Sequence, residues 1–287
     1  MAKGRELKGR IKSVENTRKI TRTMEMVATS KMKRAQDRVV AARPYANALG
    51  EVLSRLYSSE LAERFPLLRQ PARQRRVAVL LLTSNRGLAG AFNANLIKEA
   101  RARVAELEAR GAQVDLHVVG RKGIGFFRYV NRALLTARTD ITDRPTAEDA
   151  ASLVDGLMAD FVAGALDGVY VVHAQFRSAL STPPTTTQVL PVQPPARSDA
   201  GMQRDYLLYP SAEELLTELL PSYVRNSVYR ALAETAAAEQ GARRTAMKSA
   251  TDNASEMLNL LKRTYNRARQ AQITQEIAEI VGGAAAL

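Results

Sequence analysis

From Met32 onward, apolar residues return at alternating intervals of three and four: Met32, Ala35, Val39, Ala42, Ala46, Leu49, Leu53 and Leu56. This is the seam of a coiled-coil helix, and its alanines let a partner helix approach closely. Carried backwards, the frame meets Leu7, Ile11 and Val14, with polar Arg18, Thr21 and Glu25 between them. Pro44 removes one backbone hydrogen bond and predicts a bend, so residues 4–57 read as one bent helix, roughly 80 Å long.

Near the other end, Pro210-Ser211 followed by Glu213-Glu214 is a helix start, and Pro221 allows a break. From residue 222 nothing stops a helix until Gly282-Gly283, a length on the order of 90 Å. Ala250, Ala254, Met257, Leu261, Thr264, Ala268, Ala271, Gln275 and Ala278 repeat the seam spacing. Between Val224 and Thr245 the phase drifts, as a 3.5-residue pattern does on a nearly straight helix. Neither stripe is buried by its own helix. The simplest solution pairs the two ends with each other, and a homodimeric coiled coil is the alternative.

The middle follows a different period. Arg76 to Thr83 is a near-continuous apolar strand, followed by a Gly-containing turn and a helix from about Asn93 to Ala109. Val114–Val119, Leu134–Ala137 and Val169–Ala174 read as further strands, with helices over Lys122–Val130 and Thr146–Ala165 between them. Thr186 to Val192 adds an edge strand before a Pro-rich stretch. Apolar strands alternating with helices predict a mostly parallel sheet covered on both faces. The predicted fold class is therefore mixed α+β and α/β: a long antiparallel two-helix coiled coil with an inserted Rossmann-like domain. The pieces fall at residues 1–60, 75–195 and 206–287.

Charge changes the picture at one end. The net charge is +13, and residues 1–43 hold thirteen Lys/Arg against four Asp/Glu. Such an arm suits nucleic acid, acidic lipid or an acidic protein partner, or is a solvated helix face. No aromatic residue precedes Tyr45, so single-strand binding by base stacking has no platform. The chain has no cysteine, which excludes thiolate chemistry and fits a reducing compartment. No apolar run is long enough to span a membrane, and the N-terminus lacks a signal-type apolar core. Membrane contact is therefore expected only through partners.

Candidate chemistry is sparse. The turn Ser84-Asn85-Arg86-Gly87-Leu88-Ala89-Gly90 follows the first strand, where phosphate sites often sit, but its spacing is neither GxGxxG nor GxxxxGK[ST]. Gly120-Arg121-Lys122-Gly123 is a candidate anion turn. His117 and His173 lie in apolar strands, and two histidines without cysteine do not make a metal cluster. Ser178 and Ser181 have no histidine close in sequence. Asp140, Asp143, Glu148 and Asp149 imitate paired carboxylates but sit in a loop and at a helix N-terminus. No catalytic residue, cofactor or metal site is expected from these residues. Two further readings stay open: a basic coiled-coil nucleic-acid binder, and a nucleotide-binding α/β enzyme with helical arms.

Three segments carry a family resemblance. They are Ile11 to Gln36, with Asn16-Thr17-Arg18-Lys19-Ile20-Thr21 and Met24-Glu25-Met26-Val27-Ala28; Thr83 to Asn93; and Ala246 to Leu287. In these the chain resembles the gamma-subunit family of bacterial F-type ATP synthases, with weaker similarity across nearly its whole length. The resemblance implies a shaft inside a ring of alternating alpha and beta subunits, with the α/β domain as a foot that sits, with the epsilon subunit, on the membrane c-ring. It implies rotation that couples proton flow to ATP synthesis on the beta subunits, at the cytoplasmic face of the inner membrane, with no catalytic role for this chain. It places Lys19, Met24, Arg269, Gln270 and Thr274 against acidic loops of the beta subunits, and Tyr206 near the membrane ring. Two positions depart from the family pattern. Ala89 stands where a cysteine is usual, and Tyr209 where some members carry an acid. The cysteine-bearing insertion of plastid forms is absent, so redox switching is not expected.

Overall fold

The computed structural model describes residues 2–56, 64–178, 181–193 and 211–284. Helix α1 spans Ala2–Leu56 and helix α5 spans Ala212–Ala284. Between them lie β1 (Arg76–Leu82), α2 (Phe92–Ala109), β2 (Gln113–Val119), α3 (Arg121–Tyr129), β3 (Thr136–Arg138), α4 (Ala147–Val162), β4 (Gly168–Ala174) and β5 (Pro184–Leu190). The chain divides into two compact units, one of Met1–Ala28 with Arg243–Leu287 and one of Thr29–Ala242. Both long helices contribute to both.

In the unit of Thr29–Ala242 the sheet order is β3-β2-β1-β4-β5. The first four strands are parallel and β5 is antiparallel to β4 at an edge. Alternation along β1 sends side chains to two cores. Ala78, Leu80 and Leu82 meet α4 through Val154, Leu157 and Phe161, together with Leu49 and Leu53 of α1 and Leu216, Leu220 and Val224 of α5. Val77, Val79 and Leu81 meet α2 and α3 through Leu96, Val104 and Phe127, together with Met32, Ala35 and Val39 of α1 and Ala233, Ala237 and Ala238 of α5. Ascending positions on α1 thus meet descending positions on α5, so the two helices run antiparallel.

The frame read from α1 holds: Leu7, Thr21, Ala28, Met32, Ala35, Val39, Ala46, Leu49, Leu53 and Leu56 are buried. Three expectations need correction. α5 is not broken at Pro221 but begins at Ala212, because Leu216, Leu220, Val224 and Val228 form one buried face across the proline. The phase drift after Val224 has a packing cause. Ala231, Ala233, Ala236, Ala237 and Ala238 lie on all sides of the helix and are all buried, so no single seam exists there. Beyond it the seam shifts by one residue. Met257 is 52% exposed and Leu258 only 3%, and half-buried Tyr265 and Gln272 continue the face in place of exposed Thr264 and Ala271. Ala254 is buried, and Leu261 and Ala268 half-buried, as the spacing predicts.

Candidate functional site

Lys19, Met24, Arg269, Gln270 and Thr274 all fall in the unit formed by Met1–Ala28 and Arg243–Leu287. Lys19 is exposed and 3.9 Å from Glu15 one turn earlier; Met24 is half-buried. Arg269, Gln270 and Thr274 are exposed, and the Thr274 hydroxyl donates to the Gln270 carbonyl at 2.9 Å. Apart from half-buried Met24 these side chains are solvated on a helical scaffold, and among the described residues the Thr274–Gln270 bond is a local helix contact rather than an assembled site. Tyr206 lies outside the described residues. Fifteen Lys/Arg against seven Asp/Glu give this unit a formal charge of +8. A surface of this kind attracts acidic partners at long range with little geometric specificity. At its seam the Thr251 hydroxyl donates to the Thr21 hydroxyl at 2.8 Å, a facing pair that spacing alone does not give.

In the other unit, the turn after β1 is a joint. The Ser84 N–H donates to Asn93 Oδ1, and the Asn85 amide donates to the carbonyls of Thr139 and Ile141. The N-terminal amides of α3 are also taken: Arg121 by Asn85 Oδ1, Lys122 by the Ser84 carbonyl and Gly123 by Thr83 Oγ1. Gly120 has φ +98°, and an added Cβ would sit 2.2 Å from the Thr83 carbonyl oxygen. The candidate anion turn therefore spends these amides on its own framework. The sheet buries both histidines. Thr136 hydrogen-bonds His117 Nδ1, and Thr187 hydrogen-bonds His173 Nε2. Burial pushes His173 down to about 4, and the nearby Arg230 adds to the shift.

The acids have structural partners. Asp149 and Thr146 form a capping box at the start of α4. Arg138 hydrogen-bonds Asp140 and holds its carboxyl down to about 2. Asp143 is reached from α1, where Lys31 donates to its carboxylate at 2.7 Å and Arg38 to its carbonyl at 3.1 Å. Burial pushes the Asp143 carboxyl up, but Lys31 more than offsets it and the net shift is downward. The only signal of this contact in the sequence is two cations seven residues apart, on one face of α1. Arg38 and Arg225 also flank a groove of about 620 Å³ between α1, α4 and α5, walled by Tyr45 and Tyr229. Asp155 holds Arg225 through two bonds of 2.7 and 2.9 Å.

Two long antiparallel helices and a five-stranded sheet bearing no assembled reaction centre among the described residues leave the comparisons to decide. The family model described as ATP synthase matches residues 3–287. The ATP synthase gamma chain of Gemmatimonas aurantiaca is 72% identical over 288 residues, which cover 100% of this chain and 99% of that one. The chain belongs to the ATP synthase gamma family. The gamma chain of Leptospira biflexa is 44% identical with full coverage of both sequences. Among solved structures, the central stalk and c-ring of Tetrahymena thermophila mitochondrial ATP synthase contains a chain 25% identical to this gamma-family member. It matches with a TM-score of 0.62, over 80% of this chain and 99% of that one. The rotor of the Euglena gracilis enzyme gives a TM-score of 0.66 at 18% identity, over 95% and 99%, a likeness of fold. Membership makes the chain a subunit of the ATP synthase complex, and among the described residues no helix is long and apolar enough to cross a membrane.

Proposed function

We propose that this chain is the central stalk of an F-type ATP synthase, turning inside the alpha/beta ring to couple transmembrane proton flow to ATP synthesis or hydrolysis on the beta subunits. The observation that carries it is 72% identity to a gamma chain along the whole length. Residues 1–60 and 206–287 supply the shaft and residues 75–195 the foot. The chain has no catalytic site of its own. Its buried histidines and paired acids serve packing and caps. Lys19, Met24, Arg269, Gln270 and Thr274 meet acidic loops of the beta subunits. The foot, with the epsilon subunit, contacts the c-ring near Tyr206, and the chain itself is peripheral, held at the cytoplasmic face of the inner membrane through its partners.

The basic surface suits a rotor. Exposed charges attract without locking a geometry, so contacts re-form at each step. The test is purification of the tagged chain from its host membranes. The expected result is a stoichiometric complex with alpha- and beta-type ATPase subunits that hydrolyses ATP, while the isolated chain shows no nucleotide binding by calorimetry. Micromolar nucleotide binding by the isolated chain would favour the α/β-enzyme reading instead.

A further inference from the structure

The segment from Arg64 to Arg76, which leads into β1, holds five arginines and no acid. All five arginines are exposed. Two have carboxylate partners: Arg64 pairs with Glu213, and Arg76 with Asp115 at 2.8 Å. The guanidinium groups of the other three have none among the described residues. Arg69 donates to the Phe161 carbonyl at 3.0 Å and lies over the Phe161 ring. Arg73 sits beside Gly111, just past the end of α2. Arg75 is engaged through its main chain, its N–H on the Asp167 carboxylate and its carbonyl on the Gln113 N–H. Asp115 and Asp167 offset part of the charge on this rim, where the parallel strands start, and the rest faces solvent.

The fold gives this rim a direction. The opposite ends of the strands lie level with the places where both long helices leave this unit. Beyond β3, Asp143 receives Lys31 and Arg38 of α1, and at the end of β4 the Ala174 N–H donates to the Thr235 hydroxyl of α5. The unit's limits, Thr29 and Ala242, are only a few residues further along each helix. The arginine segment is at the other end of both helices. It follows the end of α1 in sequence, and Arg64 ties it to Glu213 in the first turn of α5. If the helices leave towards the alpha/beta ring, the arginine rim is the end of the foot turned to the membrane.

We propose that this rim is a contact surface for acidic phospholipid headgroups of the membrane beneath the foot. The proposal rests on the central-stalk reading. An anionic bilayer attracts exposed basic side chains over a Debye length of about 8 Å at physiological salt. The guanidinium fork matches phosphate oxygens in shape as well as charge. A protein partner fits less well. No large apolar side chain of residues 64–76 is exposed, so the anchor that a protein interface buries at its centre is missing here. Contacts made by exposed charge hold no fixed geometry, which suits a foot turning over a fluid surface.

The experiment is co-sedimentation of the full chain with vesicles of phosphatidylglycerol and phosphatidylcholine in equal parts, beside vesicles of phosphatidylcholine alone. Arg73→Gln with Arg75→Gln removes two charges from the rim, and Lys262→Gln with Arg263→Gln removes two exposed charges from the other unit. All four are surface changes, so both variants should melt within a few degrees of the parent. The parent should bind only the acidic vesicles. The rim variant should bind them at least about tenfold more weakly, and the matched variant within about threefold of the parent. Equal losses in the two variants overturn the proposal, because net charge and not the rim would then decide binding. Displacement of the parent by inorganic phosphate at matched ionic strength also overturns it, by making the rim a site for a small anion. In the complex purified from its host, the rim variant should keep its c-ring; loss of the ring with vesicle binding unchanged would assign the rim to a protein contact instead. Vesicle binding does not depend on the stalk assignment, so a chain that purifies without ATPase-type subunits sinks the central-stalk reading alone.

Discussion

His173 sits in β4 with its ring against Thr187 and under the influence of Arg230 on α5, and the cost of charging it there is a stability term. Its folded-state value of about 4 lies below the ordinary imidazole value of about 6.5. The neutral form is therefore favoured by folding. The contribution is complete above the unfolded value and is lost as the pH falls from about 6.5 towards 4. The full shift corresponds to about 3 kcal/mol. His117 is shifted in the same direction by burial, with Asp115 and Asp160 opposing it. Melting temperature measured from pH 7 to 4 should fall less steeply in His173→Gln than in the parent; equal slopes would remove His173 as a source of acid lability. On the shaft surface the expectation is opposite in kind. Arg269→Ala removes an exposed side chain, so stability should change by no more than about 0.5 kcal/mol, while ATP-driven proton pumping by the complex falls severalfold. Unchanged pumping at full assembly would take Arg269 out of the contact set.

At the scale of elements, the facing hydroxyls of Thr21 and Thr251 put a polar bond across the seam where its frame passes through Arg18, Thr21 and Glu25. Thr21 is buried and Thr251 half-buried; the single Thr251 hydroxyl proton is shared between Thr21 Oγ1 and the Met247 carbonyl, while the Thr21 hydroxyl donates to the Arg18 carbonyl. Each hydroxyl thus also bonds a carbonyl on its own helix, so a single Thr→Val change should cost no more than about 1 kcal/mol and the double change less than the sum. Denaturant melts of the four proteins measure this coupling, and strict additivity would mean that the hydroxyl pair contributes nothing. The pair also explains why the frame on α5 was hard to read. Met257 and Leu258, and Thr264 and Tyr265, offer two adjacent stripes of similar character. Only the antiparallel neighbour selects between them. On α1 the adjacent stripe is interrupted by Lys33, Gln36, Arg43 and Ser54, so spacing alone selects the seam.

For the molecule as a whole, rotation is the property to test, and the absence of cysteine gives a clean background. Ala35 and Ala42 belong to one compact unit and Ala250, Ala254 and Ala268 to the other. The seam crosslink is therefore better placed at Thr21→Cys with Thr251→Cys, whose hydroxyls already touch. A disulfide requires Cα atoms within about 7 Å. Joining these helices should leave multi-site ATP hydrolysis within about twofold of the uncrosslinked complex, a loss of about 0.4 kcal/mol at most. A crosslink from Gln270→Cys to a surrounding subunit should stop turnover, with recovery on reduction. Gels must show that each bond has formed. Full turnover with the shaft tied to its surround would end the rotor reading, and a block by the helix-to-helix bond alone would mean that the helices slide past each other.

What the sequence determined by itself is the part of the protein written in local periodicity: a three-four spacing for the α1 seam, apolar strands alternating with helices, and a Thr146/Asp149 helix start. Each is set within a few residues by burial and backbone bonding. The family was legible too, because its motifs lie in contiguous segments. The tertiary structure decided whatever depends on a distant partner. It carried α5 through Pro221, buried Ala231 to Ala238 on every side, and chose Leu258 over Met257. It brought Asp143 to Lys31 and Arg38. The physical reason is common to all of these: a side chain's own neighbours in sequence set its direction, but only an element packed from elsewhere sets what that direction meets.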